Sequence, residues 1–268
     1  MRRKAVLWYL MAVLAITVGA QVSELQSRAQ IARPLDSPFD RPLRKEVIDL
    51  GPSEFYEPRF KVRNTLTCFY YPRFVVKQLD FGQKGAEWDA IVPTGGGNWP
   101  RCEQTKNDRE IRVDQEHWCG YFAGAVGNLV FLDASDGLNG SMNFSVIETE
   151  SGREVFRDTA RRKYLIKKNR LVWEGQRLQI KKHPEGPPVL TYTRAYFAEC
   201  PLPKGGLDCW NKIRASTGLN QPTAPVCRQQ FKEDPDDFSV IFYPVRVQLG
   251  PKPEPIPMPG RILCQDQE

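Results

Sequence analysis

From residue 55 to residue 198 the chain runs as short segments rich in β-branched and aromatic residues, each closed by glycine, proline or asparagine. Residues 65–71 (TLTCFYY) and 73–79 (RFVVKQL) flank Pro72. Residues 87–92 end in the loop PTGGGN, and 110–113 and 118–122 follow. Residues 128–133 (NLVFLD), 142–148 (MNFSVIE) and 154–158 (EVFRD) are separated by glycine turns. Residues 164–166, 170–173, 177–181 and 189–197 complete the series, and a last strand is expected at 238–249. Segments this short, spaced by turn residues, fit a mainly β chain built as an antiparallel sandwich or barrel. No long apolar stripe of helical period accompanies them. The one helix expected is short, 208–216 (DCWNKIRAS), with Asp208 as its cap and Gly218 just past its end.

The cysteines add a second constraint. The sequence opens with Met1-Arg2-Arg3-Lys4, an apolar run to Val18 and then Gly19-Ala20-Gln21. This is the pattern of a signal peptide cut after Ala20: a positive start, an apolar stretch too short to span a bilayer, and small residues at the cut. The chain is therefore expected to be secreted or periplasmic, with no membrane-spanning segment once the signal is removed. All seven cysteines lie beyond residue 20, and an oxidising compartment should join most of them. Their number is odd, so one is left over. The expected pairs are Cys200 with Cys209 across a turn-rich loop, Cys227 with Cys264, and Cys102 with Cys119.

Of the net charge of +6, three positive charges and no negative ones fall in residues 1–20, which leaves +3 for the exported part. A chain so mildly basic calls for no nucleic-acid partner. Residues 21–50, polar and broken by Pro34, Pro38 and Pro42, read as a flexible leader, and 51–250 as one β-rich domain. In the tail, 251–268, prolines occupy every second position from 251 to 259. That spacing blocks helix and favours an extended strap, which Cys264 would staple to the domain.

The stretch VFLDASDGLNGSMNFSVIETESGREVFRD (130–158), with ECPLPKGGLDCW, APVC and SVIFYPV further on, resembles a group of secreted proteins from soil and plant-associated bacteria. The resemblance covers roughly residues 120–268 and implies export but no activity. The same stretch is similar to the hairpin rhythm of a β-propeller blade, which makes a five-bladed propeller the alternative fold.

No complete catalytic, metal or cofactor motif is present, and no cofactor is expected. His117 and His183 are the two histidines. Neither neighbours a nucleophile in a recognisable arrangement, and no G-x-S-x-G elbow occurs. Between 161 and 182 nine bases face a single acid, Glu174. Lys167, Lys168 and Arg170 are the candidates there for contact with an anionic glycan or envelope component. The plainer account is the solvent face of two strands. Trp88 and Trp99 flank the glycine loop and are candidates for stacking on sugar rings, or else core residues. The loop DASDGLNGS offers Asp133, Asp136 and Asn139 as oxygen ligands for a cation, though a hairpin turn asks for the same residues. Two readings of function follow: an exported, non-enzymatic binding or structural domain, and a hydrolase of an envelope or extracellular polymer whose carboxylates leave no signature in the sequence.

Overall fold

The computed structural model describes residues 37–268 except 84, 96–97, 114–119, 136, 138–139, 163, 168–169, 174–177, 229–237 and 267–268. The chain is mainly β, as the segment rhythm implies, and its two principal sheets are antiparallel apart from one short parallel pair.

The smaller sheet is a meander of β1 (Arg44–Pro52), β2 (Arg63–Tyr70), β3 (Phe74–Asp80), β4 (Trp88–Pro93) and β5 (Ile111–Arg112), in that order. β1 takes residues 44–50 out of the expected leader. Its Ile48 and Leu50 turn inward while Val47 and Asp49 stay exposed, and it pairs with β2 from Arg44 opposite Tyr70 to Pro52 opposite Arg63. Alternation of this kind is what allows a charged strand to close a sheet edge.

The larger sheet contains β6 (Gly120–Val126), β7 (Leu129–Ala134), β8 (Ser141–Glu148) and β9 (Glu154–Arg161), joined as successive hairpins. After a separate hairpin of β10 (Tyr164–Lys167) and β11 (Arg170–Trp173) come β12 (Gln179–His183) and the long β13 (Gly186–Phe197). β13 pairs with β12, meets β9 at Arg194 opposite Ala160, and pairs along nine residues with β15 (Ser239–Gln248). β14 (Cys227–Arg228), β16 (Ile256–Pro257) and β17 (Leu263–Asp266) complete it. The two sheets form a sandwich, with no closed barrel and no set of five blades among the described residues.

Alternation within the strands divides the core. Phe74, Val76 and Ile91 of the smaller sheet pack against Ala125, Val130, Leu132 and Ile147 of the larger. The next residue along β7 and β8 points the other way, so Phe131, Phe144 and Val146 join Tyr192, Tyr243, Val245 and Trp210 in the largest cluster. The helix that carries Trp210, α1 (Leu202–Thr217), begins six residues earlier than the sequence indicates. Gly206, at φ 54° and ψ −133°, separates an opening turn from the expected segment, and Gly218 closes it in the left-handed region with its N–H on the Arg214 carbonyl. Within the same core, Asp158 takes hydrogen bonds from the Tyr192 hydroxyl and, at 3.0 Å, from Arg194 Nε. Burial, and after it the Asp158 charge, pushes the Tyr192 phenol far up, so it stays a donor at any ordinary pH.

The other face of the smaller sheet carries Leu66, Cys68, Tyr70, Val75, Leu79, Trp88, Ala90 and Val92. Residues 99–110 cover it. Lys77, 1% exposed on β3, donates to Glu110 Oε2 at 2.9 Å and to the carbonyls of Glu103 and Thr105. Arg112 Nε donates to the other oxygen of Glu110 at 3.0 Å. A cation buried this deeply is tolerable because its partners are a carboxylate and two carbonyls.

Three disulfides are formed. Cys200–Cys209 and Cys227–Cys264 are the expected bridges, with Cα atoms 5.9 and 4.3 Å apart. The second ties the strap to the sheet, where β17 pairs with β15 and Ile256–Pro257 pairs with Arg246 and Val245. The third bridge corrects the sequence reading. Cys102 joins Cys68, not Cys119, at a Cα separation of 5.8 Å. Cys68 points to the outer face of β2, directly beneath the covering segment that contains Cys102. Proximity of that kind comes from the sheet, and a hairpin guess based on spacing misses it. Cys119 lies outside the described residues, and the other six cysteines are joined to one another. Unreduced, denatured protein is therefore expected to show one reactive thiol per chain, in the peptide holding Cys119. Recovery of a Cys102–Cys119 peptide would contradict this.

These bridges place the folded chain in an oxidising environment. Among the described residues no helix is long and apolar enough to cross a membrane.

Candidate functional site

At one end of the larger sheet the turns and strand ends leave two adjoining cavities, of about 630 and 550 Å³, sizes at which small ligands and sugar units are held. The two-residue turn Pro184-Glu185 between β12 and β13 lies in the first, and His183, Gly186 and Pro187 line both. His183 pairs with Gly186 across the turn, so backbone pairing fixes the point from which the side chain projects. Proline restricts φ, and the walls include Pro184, Pro187, Pro188 and Pro251, so this lining is rigid before any ligand arrives.

The charged side chains come from distant parts of the chain. Lys182, at the end of β12, forms an ion pair with Asp40. Asp40 also accepts from the Gly127 N–H at 2.7 Å, and its own N–H bonds to the Ala125 carbonyl at 2.7 Å, which seats residue 40 beside the β6–β7 turn. The neighbouring Phe39 ring fits because residue 124 is glycine: a Cβ there would lie 2.3 Å from the ring. Burial and then the charge of Asp40 push the Tyr71 phenol up to about 12. Glu148 ends β8, accepts from Ser151 Oγ at 2.6 Å, and lies across the glycine turn from Arg153. Arg246, on β15 opposite Ile256 of the strap, lines the first cavity with Glu185. No ion pair engages Arg153 or Arg246 among those of the described residues, so both guanidiniums are open to a ligand. Lys182 is committed to Asp40.

The residues singled out in the sequence are spread more widely. Lys167 and Arg170 are opposed in the backbone register at the tip of the β10–β11 hairpin, and Lys168 between them lies outside the described residues. Trp88 is buried beneath the Arg112 guanidinium, 4.6 Å from its ring centroid. Trp99 is partly exposed and donates from its indole nitrogen to the Tyr71 carbonyl at 3.0 Å. Among the described residues no ring contact joins the two tryptophans. Asp133 pairs with Arg162, a cation that competes with any metal for its carboxylate, while Asp136 and Asn139 lie outside the described residues. Among the described residues no three His, Cys, Asp or Glu side chains converge as metal ligands do. His117 also lies outside them. Among the described residues of the basic stretch, only Lys182 lines these cavities. Glu148 and Arg153 share the β8–β9 turn, but Asp40 and Arg246 come from distant segments, and no spacing in the sequence marks the set.

No family model, curated protein or solved structure matches the chain.

Proposed function

We propose that this chain is an exported, non-enzymatic binding domain, secreted or periplasmic, whose rim cavities hold an anionic glycan or a similar envelope component. The observation that carries the reading is the pair of guanidiniums, Arg153 and Arg246, that no ion pair engages among the described residues, one in each of two adjoining proline-walled cavities. Arginine binds carboxylate, sulfate and phosphate groups through parallel hydrogen bonds, and two cavities in a row suit consecutive units of a polymer. The signal-type N-terminus and the three disulfides support the exported location. The hydrolase reading draws on Asp40 and Glu148, which line one cavity. Both carboxylates are already engaged, Asp40 by Lys182 and Glu148 by Ser151, which favours a structural role for them.

Chromatography on immobilised heparin tests the proposal. Wild type is expected to be retained and to elute earlier as salt rises. The Arg153→Gln/Arg246→Gln variant should bind about tenfold more weakly, the equivalent of one charge-assisted hydrogen bond. Equal retention of wild type and this variant would refute the groove. If instead Lys167→Gln/Lys168→Gln/Arg170→Gln is the variant that loses retention, the β10–β11 hairpin is the site. Release of reducing ends from the polymer, abolished by Glu148→Gln, would establish the hydrolase.

A further inference from the structure

The loop between β1 and β2 carries three large aromatic rings within six residues, and all three face solvent: Phe55 is 50% exposed, Tyr56 38% and Phe60 58%. A loop kept only for connection gains nothing by holding three rings out of the core, because their burial would stabilise the fold. The loop is also held firmly. Ser53 Oγ donates to the Phe81 carbonyl at 2.7 Å, and the Ser53 N–H donates to the Val62 carbonyl at 2.9 Å. The Tyr56 hydroxyl donates to the Gly82 carbonyl at 2.7 Å, and the Phe55 ring stacks on Phe81 at 6.2 Å. A 3₁₀ turn at Pro58–Phe60 sets the third ring, beside which the Arg59 guanidinium lies 4.9 Å from the centroid. Rigid aromatic groups lose little conformational entropy on binding, which is why they serve as anchors.

The charges around the rings identify the partner. Arg59 pairs with Glu57 at 2.9 Å, and Arg63 with Asp49 at 2.7 Å. The bases Arg59, Lys61 and Arg63 are matched in number by the acids Asp49, Glu54 and Glu57, so these side chains carry no net charge and exert little pull on phosphate headgroups. They still present guanidinium donors beside carboxylate acceptors, and a sugar hydroxyl, both donor and acceptor, can use each. We propose that this loop binds an uncharged β-linked polysaccharide, with the flat C–H faces of its sugars on Phe55, Tyr56 and Phe60 and its hydroxyls on Glu57 and Arg59. The surface belongs to the smaller sheet and shares no residue with the rim cavities.

Co-sedimentation with insoluble cellulose and chitin tests this. Wild type is expected in the pellet with at least one polymer, and the bound fraction should hold in about 1 M salt, where exposed charge attraction is screened. The Phe55→Ala/Phe60→Ala variant should bind about tenfold more weakly or less still. Its melting temperature should fall by only a few degrees, since both rings are at least half exposed and the Ser53 and Tyr56 hydrogen bonds still hold the loop when the Phe55–Phe81 stack is lost. Arg153→Gln/Arg246→Gln should sediment as wild type does, which separates this surface from the rim groove. Failure of wild type to sediment with either polymer, or equal binding by the ring variant, would overturn the proposal. So would association with anionic phosphatidylglycerol vesicles in place of the polysaccharides.

Discussion

Replacing Lys77 with methionine is expected to cost about 3–5 kcal/mol of folding stability, the loss typical of one partner removed from a buried ion pair. The change leaves Glu110 buried with Arg112 and, at 3.4 Å, the Asn107 N–H as its remaining donors, and takes the donor from the carbonyls of Glu103 and Thr105. Denaturant unfolding at neutral pH measures the loss, and a value below about 1 kcal/mol would mean that Lys77 is not a pillar of the fold. Acid should reveal the same group. Burial by itself would raise the Glu110 carboxyl, but hydrogen bonds from Lys77 and Arg112 outweigh it and hold it below the ordinary range. A carboxyl lowered in the folded state stabilises at pH values above its unfolded value, about 4.3, and loses that contribution as pH falls through the folded one. The gap between wild type and Lys77→Met should therefore narrow on acidification. A gap that stays constant down to about pH 2 would contradict this linkage.

Converting Cys68 and Cys102 together to alanine is expected to destabilise the chain by about 4 kcal/mol in the chain-entropy account. The pair lies 34 residues apart in sequence. Cys227–Cys264, at 37, should cost nearly the same, and Cys200–Cys209, at 9, about 2.5 kcal/mol. Losses of this size are a large part of a domain's usual margin of about 5–15 kcal/mol. The Cys68–Cys102 variant carries a further expectation. That bridge pins residues 99–110 over the outer face of the smaller sheet, so its loss should also speed hydrogen exchange in the segment that shields Lys77. Thermal and urea unfolding of the three double variants provide the ranking. If the Cys200/Cys209 variant proves the least stable, the entropic account fails for this protein.

Much of the architecture can be read directly from the residues. Alternation in TLTCFYY, NLVFLD and MNFSVIE defines strands with two faces. The glycine turns between 128 and 158 make the β7–β8–β9 meander close to unavoidable. Two of the three disulfides follow from local features, a turn-rich loop at 201–208 and a proline strap ending in Cys264. These signals are legible because period and turn chemistry act over a few residues. The boundaries of the helix and of the leader are less so. A glycine at positive φ lets the chain kink at 206 and remain helical on both sides, and the charged strand at 44–52 becomes a strand only because β2 offers its edge.

Tertiary structure decided the rest. Which cysteine meets Cys102 depends on the face of β2 over which residues 99–110 fold. Lys77 and Glu110, 33 residues apart, look like ordinary surface charges until that same segment buries them. The rim cavities draw Asp40, the Glu148–Arg153 turn, Lys182 and Arg246 from four segments, while the other described bases of the run that stands out in the sequence do not line them. The reason is physical: secondary structure is written in short-range periodicity, whereas a binding surface depends on which strand ends a sheet brings to the same rim. By itself the sequence determined an antiparallel β chain with disulfides. The folded sheets determined where a ligand meets it.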